Sequence, residues 1–114
     1  MRKKPRDRLP LQRWKKSKLE DLIHRAVLEA DNEEEQQLGF YQALEEHLRF
    51  PFKTAVGGAP VVVKSLDVGE DDEILAVCIR QGEKVGIPLL DLPLPKPPPK
   101  GAEWVEAYRL WVAE

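Results

Sequence analysis

The chain has 114 residues, 42% apolar and 33% charged, with a formal net charge of −2 and one cysteine. That length fills one modest core rather than two, and a lone Cys78 excludes an intrachain disulfide framework. The near-neutral total hides a division: residues 1–18 carry nine Lys/Arg against the single acid Asp7, whereas residues 19–114 carry 19 acids against 9 bases, a net −10.

Residues 1–17 read as a basic arm without sustained periodicity, with Pro5 and Pro10 inside it. It has positive charge but no apolar stretch behind it, so no secretory signal is expected. No apolar run anywhere reaches the ~18 residues of a membrane span. A reducing, cytoplasmic setting is the expectation.

From Ser17 the pattern becomes helical. Leu19, Leu22, Ile23, Ala26, Val27 and Ala30 recur at three- and four-residue spacing. Ser17 with Glu20 fits a capping box. Asp31-Asn32 interrupts, and Leu38, Tyr41, Leu44 and Leu48 form the stripe of a second helical segment that Pro51 ends. The spacing leaves one kinked helix and two helices both open. Gly39 marks close packing within the second segment.

Past Pro51 the period falls to about two. Strands are predicted over 52–56, 59–66, 74–80 and 84–90, joined by turns at Gly57-Gly58 and Gln81-Gly82-Glu83 and by an acidic loop over 67–73. Pro88 suggests an edge strand or a strand end. A small, strongly bent antiparallel sheet of four to five strands follows, SH3-like and open. A proline-rich connector, 93–99, leads to Gly101 and a final helix with Trp104, Ala107, Tyr108 and Trp111 on one face.

Chemistry-bearing residues concentrate in two acidic runs, Asp31-Asn32-Glu33-Glu34-Glu35 and Asp67-Val68-Gly69-Glu70-Asp71-Asp72-Glu73. The first has a plain structural reading. Asp31 or Asn32 caps the second helix, as Asp31 with Glu34 or Asn32 with Glu35, and glutamates favour its dipole. The second has the reading of a solvated hairpin loop. Crowded carboxylates nevertheless repel, and a hard cation taking about six to eight oxygens in loose geometry relieves that repulsion.

Neither run is an EF-hand. Counting from Asp31 places Gln36 where the loop needs glycine and Gln42 where it needs glutamate; counting from Asp67 places Asp72 and Cys78 there. His24, His47 and Cys78 lack zinc-ligand spacing. Cys78 lies in the apolar run Ile74–Ile79 and reads as a core thiol. Nothing in the chain has the pattern of a nucleophilic or phosphate-binding motif, so no enzyme is expected.

The ordered set Glu33-Glu34-Glu35-Gln36, Gly39-Phe40-Tyr41, Leu44-Glu45, Leu48 and Phe50-Pro51-Phe52 resembles the cyanobacterial calcium-binding protein family of the CcbP type. The likeness continues in Ala76-Val77-Cys78, in 87–92 as Ile-Pro-Leu-Leu-Asp-Leu, and in Trp104-Val105-Glu106-Ala107-Tyr108-Arg109. It spans roughly residues 19–112 and leaves the arm uncovered. The resemblance implies a small Ca²⁺ buffer or sequestering protein without EF-hands and without enzymatic activity. The arm departs from an acidic family member and would supply internal counter-charge.

The expectation is therefore one α+β domain over 18–114, with two N-terminal helices, the bent sheet and a closing C-terminal helix, that binds Ca²⁺ through surface carboxylates. The first candidate site is Asp67, Glu70, Asp71 and Asp72. The second is Asp31, Glu34 and Glu35, with Asp91 as a supplementary ligand and Glu33 and Glu73 less favoured. The alternative is a non-enzymatic interaction module that contacts protein or nucleic acid through the SH3-like sheet or the basic arm, the arm over 1–17 also suiting an anionic surface.

Overall fold

The computed structural model describes residues 14–114, so residues 1–13 of the expected arm lie outside it. Helix α1 spans Lys16–Val27 and buries Leu19 and Leu22. It starts before the predicted Ser17 cap. Lys15 holds the N-cap position in extended geometry without a side-chain cap bond. The burial of Leu19 and Leu22 sets this helix, and helices in proteins draw most stability from such packing rather than from their ends.

Residues 28–32 separate it from α2, Glu33–His47, so the two segments are distinct helices. They cross where a Cβ on Gly39 would overlap the Ala26 carbonyl, which explains glycine in a helix interior.

Strands β1 (Phe52–Val56), β2 (Ala59–Val68), β3 (Ile74–Arg80) and β4 (Glu83–Pro88) form one antiparallel sheet in sequence order. The register between β2 and β3 slips between Val63 and Ser65. This bulge changes the parity of the strand: Val61 and Val63 point inward before it, and Leu66 does so after it. Two boundaries differ from expectation. Strand β2 runs on through Asp67 and Val68, because both pair with β3, opposite Leu75 and Ile74. Strand β4 stops at Pro88, and Leu89–Asp91 turns into a short 3₁₀ segment that buries Leu89. Among the described residues four strands form, and they make an open sheet.

The chain returns through the proline connector to α3, Ala102–Ala113. Gly101 at its N-cap takes φ 89°, a left-handed conformation suited to glycine. Helix α3 is buried nearly all round and packs on α1 and α2. Phe40 of α2 meets Tyr108 edge-on at 5.5 Å and Trp111 at 5.2 Å. Cys78 sits fully buried among these core side chains.

An ion pair lies inside this core. Arg109 Nη1 donates to Glu106 Oε2 at 3.0 Å, and Arg109 Nη2 donates to the carbonyls of Leu89 and Leu92. The guanidinium thus ties α3 to the 3₁₀ turn. The architecture is α+β, with helices before and after a small antiparallel sheet. Among the described residues no helix is long and apolar enough to cross a membrane.

Candidate metal site at the acidic groove

The first acidic run folds around the start of α2. Asn32 Oδ1 accepts from the Glu35 N–H at 2.9 Å, while Glu35 Oε1 accepts from the Asp31 N–H at 2.8 Å. This is a capping box with its return bond moved one residue upstream. Glu33, Glu34 and Glu35 occupy the first turn, where the helix dipole favours negative charge.

The second run folds as a tight turn between β2 and β3. Gly69 N–H donates to the Glu73 carbonyl at 2.8 Å, and Asp72 N–H to the Gly69 carbonyl at 3.1 Å. Asp72 takes φ 61°, which aspartate tolerates better than most residues. The Glu73 side chain folds back over Gly69.

These two runs meet. Gln37, one turn into α2, donates from Nε2 to the Asp72 carbonyl at 2.6 Å and to the Tyr108 hydroxyl at 3.1 Å. One amide therefore joins α2, the β2–β3 loop and α3. Tyr108 is 2% exposed. Burial raises its hydroxyl above the ordinary phenol value, and Glu73 adds to this, while bonds from Gln37 and the Ile74 backbone oppose it. Nearby, Tyr41 donates to Glu45 Oε2 at 3.0 Å; burial and that carboxylate raise its hydroxyl too.

Two grooves flank the Gln37 bridge. One, of about 430 Å³, has Glu33, Glu34, Asp71, Asp72 and Glu73 on its banks and Leu90, Tyr108, Trp111 and Val112 in its floor. The other, of about 310 Å³, includes Asn32, Glu35, Leu38, Tyr41 and Val68. Glu34, Gln37 and Asp72 line both. Among the described residues no Lys or Arg lines either groove.

Of the sequence candidates, Glu34, Glu35, Asp71 and Asp72 thus come together, although they belong to runs read as separate sites. Glu33 and Glu73, less favoured from sequence, stand on the banks with them. Asp31, Asp67, Glu70 and Asp91 do not line these two grooves. Asp67 lies within β2 and bonds its own neighbour, Val68 N–H, at 2.8 Å. Asp91 is an exposed member of the 3₁₀ turn, next to the groove-lining Leu90.

Among the described residues no three His, Cys, Asp or Glu side chains converge into a ready cluster. The donors are carboxylate, amide, hydroxyl and backbone oxygens, without sulfur or imidazole. Such a set suits a hard, geometrically tolerant ion such as Ca²⁺ and does not suit zinc.

A family model described as calcium binding matches residues 20–112, most of the chain. No curated protein and no solved structure matches.

Proposed function

The chain belongs to the calcium-binding family of the CcbP type, and from that premise we propose that it takes up Ca²⁺ reversibly in the groove between the start of α2 and the β2–β3 loop. One observation carries this reading. Two acidic runs, separated in sequence by strands β1 and β2, stand on opposite banks of one groove and are tied across it by Gln37. Glu33, Glu34, Asp71, Asp72 and Glu73 would supply the charge, and Gln37 would hold the banks in register.

The carboxylates are exposed and do not converge in this structure, so binding would require them to turn toward a shared ion. An open site of this kind is loose, and its affinity falls in the roughly micromolar to millimolar range. That range suits a buffer or sequestering protein in the cytoplasm. The fully buried Cys78 thiol is compatible with a reducing compartment. We read the protein as a non-enzyme. Mg²⁺ competes poorly because it demands near-octahedral geometry and keeps its water.

The test is a Ca²⁺ and Mg²⁺ titration of the full chain followed by amide NMR. Ca²⁺-selective shifts are expected at both 33–37 and 69–74, with a single midpoint. Asp71→Asn with Asp72→Asn should weaken the response on both banks together, and Glu33→Gln with Glu34→Gln should do the same. Two independent midpoints would separate the banks into two sites. A full response in both double variants would reject the groove.

A further inference from the structure

We propose that the face shared by α1, α2 and the end of β2 docks a basic amphipathic helix of another protein, an inference that goes beyond the calcium reading and does not depend on it. The first argument is where the fold leaves apolar surface. Among the described residues three large apolar side chains stay exposed, Leu28 at 63%, Leu38 at 49% and Val68 at 39%. Single exposed residues of this kind are ordinary, whereas contiguous ones mark contact surfaces. These three are contiguous. Leu28 and Leu38 line a cleft of about 700 Å³ between α1 and α2. Leu38 and Val68 line the adjoining groove of about 310 Å³. Leu38 belongs to both, and so does Glu35.

The second argument is shape. Leu38 lies in the apolar stripe that the sequence assigns to α2, yet the helix buries Phe40 and Leu44 and leaves Leu38 about half exposed. The cleft beside it is lined by small residues, Ala26, Ala30, Gly39 and Ala43, where α1 and α2 cross closely at Gly39. Low walls of that kind receive a bulky side chain from outside, with Leu28 and Leu38 as its neighbours.

The third argument is charge, and it selects the occupant. Glu29, Glu34, Glu35, Glu46 and Asp72 line the two grooves. Among the described residues Arg25 is the one Lys or Arg that lines either, and its guanidinium is engaged over the Trp104 ring at 5.5 Å. Such a rim repels nucleic acid, an anionic membrane and a second copy of the same face. It attracts a segment that carries Lys and Arg beside its apolar anchors. An amphipathic helix presents both from one side.

The probe is a synthetic leucine–lysine peptide patterned as an amphipathic helix, titrated into the full chain with EDTA present so that calcium plays no part. Amide shifts are expected at 26–30, 35–43 and 68. Leu28→Gln with Leu38→Gln keeps every charge and substitutes another good helix former. It should weaken the peptide by about tenfold or more, as the loss of two anchors does, while the urea midpoint stays in place. Glu29→Gln with Glu46→Gln should weaken it several-fold and flatten its salt dependence. The same peptide with glutamate in place of lysine should not bind.

Shifts centred on 69–73, or an unchanged Kd in the leucine variant, overturn the proposal, because attraction to acidic surface alone would then account for binding. Absence of binding overturns it as well. Self-association of the free chain that the leucine variant abolishes, seen by sedimentation, would make a second copy the occupant and overturn the choice of a basic partner.

Discussion

Gln37 carries no charge, yet it is the residue on which the two acidic runs meet. Gln37→Leu keeps the volume and removes both bonds, stranding the Tyr108 hydroxyl on its α2 side. The expected cost is about 1–3 kcal/mol, measured by urea unfolding, with faster amide exchange over 69–73 and several-fold weaker Ca²⁺ binding. Tyr108 gives a second prediction. Its hydroxyl ionises above the ordinary phenol value in the fold, chiefly because it is buried. The unfolded phenol loses its proton first, near pH ~10. This residue's contribution is therefore whole below that pH and is lost as pH rises through the folded value. Calcium-free melts should fall steeply above about pH 10, and Tyr108→Phe should flatten the fall, leaving the smaller share of Tyr41. Residues of this kind were hardly legible in the sequence. The acids were visible because charge crowds locally, whereas a lone glutamine has no pattern of its own. Glu33 and Glu73 read as less favoured because the sequence leaves their direction open; in the fold both line one groove.

Elements were far easier to read. Strand β3 and the final helix follow from period and composition, because an apolar run of six and an aromatic stripe each permit one burial. The errors fell at ends. Lys15 rather than Ser17 holds the N-cap of α1, and β4 ends at Pro88, beyond which Leu89 turns inward. Gly39 shows an element-level constraint that the sequence did announce. Gly39→Ala adds a methyl against the Ala26 carbonyl, where backbone cannot yield cheaply. It should cost about 1–3 kcal/mol despite alanine's better helix propensity, seen as a lower urea midpoint with an unchanged m-value. An exposed alanine control elsewhere in α2 should cost nothing.

At the scale of the whole molecule, the fold works against its own charge. Residues 19–114 sum to −10, and part of that charge is packed along one groove. Like charges destabilise a compact state until they are neutralised or screened. An ion bound only by the folded chain stabilises it by about 2.7 kcal/mol at a hundredfold excess over Kd. For a domain of this size that raises Tm by roughly ten degrees. Calorimetry with Ca²⁺ should show this shift, Mg²⁺ at equal concentration much less, and KCl alone a modest rise that shrinks the calcium increment. A melting point indifferent to Ca²⁺ well above the millimolar end of the expected affinity range contradicts the proposed site.

The irregular pairing at Val63 and Ser65 also governs how the chain tolerates changes of length. Lys64 is a spacer between two columns that count in opposite parity. Excising it would join Val63 directly to Ser65, whose partners Cys78 and Val77 are already consecutive, so Leu66 would keep its inward place and Asp67 its outward one. The strand can therefore lose this lysine and still deliver the loop beyond it to Gln37. One residue added beside it would instead invert every later position.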